Sequence, residues 1–317
     1  MSFNRRDFVK LCTGTVAGFG VSQMFHPAIR DALADAASDA RPRVLWLAGQ
    51  SCTGCSVSLL NATHPGIAEL LLKIISLNYH STIMGGEGET ASAHIFDTAK
   101  AEKGKFFVVV EGSVPVEAGG KYCVVADYMH KEYTIADMLK ATAPDAAAVI
   151  AVGTCAAFGG IPAARGSTTG ARSVQTFLKE SNISTPVVNL GGCPPHPDWI
   201  VGTIALALKL IQEKGLAEGL GEVVKALDAH GRPLPFYGEN VHENCPYLKA
   251  YEDGKMCPTF TQKDGCRYNL GCKGPGAYCD SPNRRWNGGV NWCVENAVCI
   301  ACTQKDFPDG RSPFYSN

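Results

Sequence analysis

Apolar residues gather in short, nearly unbroken runs: Arg43 to Ala48 (RVLWLA), Lys105 to Val110 (KFFVVV), Ala147 to Val152 (AAVIAV) and Pro186 to Leu190 (PVVNL). Runs of this length without polar alternation are expected of strands buried on both faces. His80 to Met84 is a weaker strand candidate. Helical spacing of apolar positions predicts helices over Gly66 to Ser76, Thr134 to Ala141 and Val174 to Lys179, and over Asp198 to Lys214 after the last run. Strands alternating with helices predict a parallel sheet with right-handed crossovers, so residues 42–214 read as a doubly wound α/β domain.

The periodicity fades in residues 215–317, where Gly231, Pro233, Pro235, Gly271, Gly274, Pro275, Gly276, Gly288 and Gly289 punctuate the chain. Few strands or long helices fit there. So small a core cannot offset chain entropy unless disulfides or metal staple it.

At 317 residues, 45% of them apolar, the chain has material for a real core. Its 29 basic and 30 acidic residues lack the electrostatic footprint of a nucleic-acid binder, and that class is set aside. No nucleophile–base pair suggests a hydrolase.

The first residues read as a twin-arginine export signal over 1–34. Asn4-Arg5-Arg6-Asp7-Phe8-Val9-Lys10 precedes a weakly apolar stretch from Leu11 to Phe25, and Ala32-Leu33-Ala34 or Ala34-Asp35-Ala36 offers a small-residue cleavage site. The apolar run is shorter than the roughly 18 residues a bilayer span needs. The mature chain is therefore expected to be periplasmic with no membrane span.

Export makes disulfides the default reading of a cysteine-rich chain. Two facts oppose it. Of 14 cysteines, Cys12 leaves with the leader, and an odd number remains. The twin-arginine route also carries proteins already folded, often around a cofactor, so metal ligation is favoured.

Four cysteines fall just past strand ends: Cys52 and Cys55 after the first run, Cys155 after the third and Cys193 after the fourth. In open α/β sheets ligands sit at that edge, so residues far apart in sequence would converge there. Such a set suits a four-cysteine zinc site or an iron-sulfur cubane. Only one C-x-x-C knuckle is present, with the other two ligands single and distant, which favours iron-sulfur. Between His242 and Cys302 spacing gives two more sets: His242, Cys245, Cys266 and Cys272, then Cys279, Cys293, Cys299 and Cys302.

These motifs resemble the small, electron-transferring subunit of nickel-iron hydrogenases. The resemblance is carried by the twin-arginine leader, C-T-G-C-S at Cys52 to Ser56, E-G-S-V-P at Glu111 to Pro115, G-T-C-A-A at Gly153 to Ala157 and G-C-P-P-H-P at Gly192 to Pro197. It continues through H-E-N-C-P at His242 to Pro246, G-C-K-G-P at Gly271 to Pro275 and C-I-A-C at Cys299 to Cys302. It implies a flavodoxin-like domain followed by an irregular iron-sulfur domain.

The resemblance further implies three [4Fe-4S] clusters: a proximal one on Cys52, Cys55, Cys155 and Cys193, a medial one on Cys279, Cys293, Cys299 and Cys302, and a distal one on His242, Cys245, Cys266 and Cys272. Standard members place proline where this chain has Cys293 and carry a [3Fe-4S] medial cluster. A fourth thiolate here implies a cubane and the nickel-iron-selenium branch. The implied partners are a large subunit that bears the Ni-Fe(-Se) site, where H2 is split, and a soluble periplasmic c-type cytochrome. A standard small subunit with a three-iron medial cluster and an autonomous polyferredoxin are the alternatives. No catalytic residue is expected on this chain. Cys123 and Cys257 match no ligand position and read as structural thiols, Cys257 the more reactive, while Glu111 and His196 read as capping or backbone-orienting groups.

Overall fold

The computed structural model describes residues 41–262, 264–284, 286 and 292–315. The expected leader, with Cys12, lies outside the described residues.

The chain begins with β1 (Arg43–Ala48), then α1 (Gly54–Leu60), β2 (Ser76–His80), α2 (Gly88–Ala101) and β3 (Phe106–Glu111). A hairpin of β4 (Val124–Tyr128) and β5 (Lys131–Thr134) leads into α3 (Ile135–Thr142), β6 (Ala148–Val152) and α4 (Thr154–Phe158). Next come α5 (Val174–Glu180), β7 (Val187–Leu190), α6 (Pro197–Lys214) and α7 (Leu216–Lys225).

The main sheet runs β2-β1-β3-β6-β7 with every pairing parallel. Omitting the hairpin strands this is the flavodoxin-like order, whose switch point lies between β1 and β3. The four strong runs are strands because they are buried on both sides. One face, including Trp46, Val109, Ile150 and Leu190, packs against Trp199, Ile200 and Val201 of α6. The other, including Leu45, Leu47, Val108 and Val149, packs against Ile95 of α2, Met138 and Leu139 of α3, and Phe177 of α5.

Local chemistry sets the helix starts. Thr134 and Asp137 form a capping box on α3, with Asp137 N–H to Thr134 Oγ1 at 3.1 Å and Thr134 N–H to Asp137 Oδ2 at 3.2 Å. Pro197 opens α6 and the His196 Nδ1 accepts the Asp198 N–H at 3.1 Å, in keeping with the capping reading of His196.

Two expectations need correction. The weak strand is Ser76–His80, not His80 to Met84, and residues 81–83 turn. As an edge strand it pairs only with β1 and tolerates Ser76 and Asn78, so it lacked an apolar signature. The helix expected from Gly66 to Ser76 is one α turn, Ile67–Glu69, running into a π-helical turn, Leu70–Ile74.

The helical layer also runs past 214: α7 buries Val223 in the same core as α6. Beyond it the chain is short helices and turns. Val241, Ala277, Cys279, Cys299 and Ala301 join the core on the α6 face of the sheet, so the irregular part is built onto the α/β part.

Candidate metal centres

Cys52 and Cys55 follow β1 through a turn in which Thr53 takes a left-handed φ of 64°. Cys155 rides on α4 and Cys193 follows β7, so all four expected thiols stand at the carboxyl edge of the sheet. The carboxylate of Glu111, at the end of β3, fixes the first loop. It is 1% exposed and accepts N–H bonds from Cys55 at 3.1 Å, Ser56 at 3.2 Å and the Trp46 indole at 3.2 Å, plus the Ser56 hydroxyl. Glu111 therefore orients backbone, as its position suggested.

Burial, then the charge of Glu111, then Cys155, Cys193 and Cys52 push the Cys55 thiol well up. Burial and the neighbouring Cys193 push Cys155 to about 11 despite an Ile161 N–H bond, and burial and Cys52 raise Cys193. Four bare thiolates this close in low dielectric would repel one another. Cationic metal reverses that balance, because a coordinated thiol is deprotonated outright.

Two glycines keep the space open. A Cβ on Gly153, where φ is 90°, would stand 2.5 Å from the Cys55 sulfur, and one on Gly160 would stand 2.9 Å from that of Cys155. Neither position accepts a side chain.

The second set surrounds an interior cavity of about 230 Å³ lined by Cys279, Cys293, Cys299 and Cys302, with Cys193, Trp199 and Trp286 on its wall. Burial pushes the Cys279 thiol to about 11, and burial with the neighbouring Cys279 pushes Cys293 to about 12. The Trp199 indole donates to Asp280 at 2.6 Å, fastening the Cys279 segment to α6. The Ala301 N–H reaches the Cys299 sulfur at 3.4 Å.

The third set lines a smaller cavity: His242, Cys245, Cys266 and Cys272, with Arg267 and, from the second set, Cys293. The Asn240 side chain accepts the His242 N–H at 2.8 Å and the Glu243 N–H at 3.3 Å, an Asx turn that presents His242 and Cys245 together. Tyr251 meets the His242 ring edge-on, with centroids 4.7 Å apart. The Gly274 N–H reaches the Cys272 sulfur at 3.4 Å.

The twelve expected ligands thus fall into three neighbourhoods as spacing grouped them. Among the described residues every cysteine is a free thiol, and no three His, Cys, Asp or Glu side chains are placed to hold a single metal ion. In the second and third sets the thiols line cavities instead. Among the described residues, two buried donors lining those cavities lack partners: the Trp286 indole N–H at the second and the Arg267 Nε–H at the third. A sulfur-rich anion held in each cavity would satisfy them, so the donor sets fit iron-sulfur clusters. Sequence reasoning missed both donors. Arg267 directly follows Cys266, the one signal that could have found it.

The remaining two cysteines line neither the second nor the third cavity. Cys123 directs its thiol toward the Ala48 carbonyl at 3.9 Å. Cys257 is 2% exposed with its thiol 3.6 Å from the Gln262 carbonyl, so the expected reactivity is not supported by access.

Comparison with known proteins agrees with this organisation. Residues 52–207 match the family described as NADH ubiquinone oxidoreductase, 20 Kd subunit, and residues 237–315 match the family described as the C-terminal part of the NiFe/NiFeSe hydrogenase small subunit. The chain is 51% identical to the periplasmic [NiFeSe] hydrogenase small subunit of Desulfomicrobium baculatum, covering 99% of both chains. It is 39% identical to a periplasmic [NiFe] hydrogenase small subunit of Nitratidesulfovibrio vulgaris, over 99% of this chain and 93% of that one. The solved [NiFeSe] hydrogenase of Desulfovibrio vulgaris Hildenborough superposes with TM-score 0.86 and 62% identity, over 87% of this chain and 98% of that one.

Proposed function

The chain belongs to the small subunits of the nickel-iron and nickel-iron-selenium hydrogenases, and from that membership we propose that it relays electrons through three [4Fe-4S] clusters held by the three ligand sets. It is the small subunit of a hydrogenase heterodimer, an oxidoreductase. Cys52, Cys55, Cys155 and Cys193 would hold the proximal cluster, facing the large subunit. Cys279, Cys293, Cys299 and Cys302 would hold the medial one, and His242, Cys245, Cys266 and Cys272 the distal one.

One observation carries this order: neighbouring sets touch. Cys193 of the first set lines the same cavity as Cys302 of the second, and Cys293 lines both the second and the third cavity. A bound iron-sulfur cluster supplies one-electron exchange at a potential tuned by charge, hydrogen bonds and exposure. The protein supplies the rest. Trp199, Val241, Ala277 and Ala301 keep the middle of the path dry. Cys52 and Cys193 are exposed at the sheet edge, where a large subunit would cover them.

The Arg5-Arg6 leader and the relatives named periplasmic support export by the twin-arginine route, and the electron partner proposed for that compartment is a soluble c-type cytochrome. Among the described residues no helix is long and apolar enough to cross a membrane. The fourth thiol at Cys293 supports a cubane in the middle position and a selenocysteine-bearing large subunit.

The test is acid-labile sulfide in the purified heterodimer. Three cubanes require about twelve sulfides matched by about twelve cluster irons, whereas a three-iron middle cluster keeps the sulfides and holds one iron fewer. Zinc in place of iron, or a chain that purifies without a large subunit, would contradict the proposal.

A further inference from the structure

Arg267 is 5% exposed, and among the described residues no carboxylate pairs with it. Its guanidinium is held by backbone carbonyls instead. Nη1 donates to Val294 at 2.6 Å and to Ala297 at 3.4 Å, and Nη2 donates to Gln262 at 3.2 Å. The Tyr247 ring lies 5.8 Å from its Cζ. The Nε–H is buried and, among the described residues, without a partner, on a side chain that lines the cavity of His242, Cys245, Cys266, Cys272 and Cys293. A guanidinium does not shed its proton, so a permanent positive charge sits in a dry wall with its Nε–H unused. Such a charge is costly to bury unless an anion answers it.

We infer that Arg267 sets the reduction potential of the distal site, its Nε–H serving a sulfur of the group held there while its Nη1 pins the turn that carries Cys293. This rests on the cluster reading above. A cluster on three thiolates and an imidazole is anionic, and reduction adds one more negative charge. A fixed cation and an N–H···S bond both favour the reduced form and raise the potential. The same side chain grips the carbonyl of Val294, next to Cys293, on the π-helical turn Trp292–Asn296. Arg267 is therefore a positioning residue for a ligand of the second set as well as a charge beside the third.

The test uses the intact heterodimer with Arg267→Lys, which keeps the charge and removes Nε, and Arg267→Gln, which removes both. Redox titration followed by EPR reads the distal signal. The glutamine variant should lose at least tenfold in its reduced-to-oxidised ratio at fixed potential, about 59 mV for one electron, and the lysine variant less. With 15N-arginine, pulsed EPR of the reduced wild-type distal signal should detect a nitrogen coupling that the lysine variant lacks. An unchanged midpoint in the glutamine variant, or no arginine coupling in the wild type, would overturn the inference. Should the glutamine variant lose its distal signal, the lysine variant decides: a lowered midpoint supports, an unchanged one overturns. Labile sulfide in the wild-type complex reads the cluster proposal separately, so the two can fail independently.

Discussion

The hydroxyl of Thr154 donates to the backbone carbonyl of Cys302, tying the start of α4, which carries Cys155, to the last cysteine of the second set. The same oxygen accepts the Gly192 N–H at 2.7 Å, beside Cys193. One side chain, 1% exposed, thus fastens two loops of the α/β part to the irregular part where the first and second sets meet.

Replacing Thr154 by Val leaves the Gly192 N–H without its hydroxyl acceptor and the Cys302 carbonyl without its hydroxyl donor. Each unsatisfied buried group costs about 1–3 kcal/mol. The heterodimer should melt at lower temperature, and electron exchange between the first two sets, followed by freeze-quench EPR, should slow. Thr154→Ser keeps the hydroxyl and should restore both.

Gly153→Ala places a methyl 2.5 Å from the Cys55 sulfur at a φ of 90°. The first site should fail to load, lowering labile sulfide by about four per heterodimer while the other two signals survive. Full sulfide content would show that the loop yields.

Cys293→Pro removes the fourth thiol of the second set. Iron should fall by about one per heterodimer with sulfide unchanged, and oxidised samples should show an intense three-iron EPR signal. A variant indistinguishable from wild type would make Cys293 a spectator.

His80 is 1% exposed, stacked on Trp46 with ring centroids 5.2 Å apart, and its Nε2 stands 3.1 Å from the Ser56 hydroxyl. Burial lowers its pKa from 6.5 to about 4. The unfolded chain therefore binds a proton here before the folded one does. His80's contribution is full above pH 6.5 and is lost as pH falls toward 4, up to about 3 kcal/mol. Melting of wild type and His80→Gln at pH 7 and pH 5 checks this: the wild type should lose more on acidification, and parallel losses would contradict it.

The strands at 43, 105, 147 and 186 were legible because both their faces are buried, leaving apolar runs without interruption. What escaped had weaker local signals. The buried face of α2 includes Ala91, Ile95 and Ala99, where small side chains give little amphipathic contrast. The β4–β5 hairpin turns through Met129 and His130, both at positive φ, instead of Gly or Asn, so no turn signature marks it. The grouping of the candidate ligands was legible because cysteine spacing is chemical information carried by the chain itself. Thr154, Trp286 and Arg267 were not, since their roles depend on partners brought near only by folding.

Mössbauer spectroscopy of the 57Fe-enriched heterodimer tests the central claim most directly, because it counts and types every iron held by this chain. Three [4Fe-4S] components, one with a site distinguished by imidazole ligation at His242, are the expected result. A three-iron component, or fewer than three clusters in a complex fully loaded with its large subunit, would contradict it.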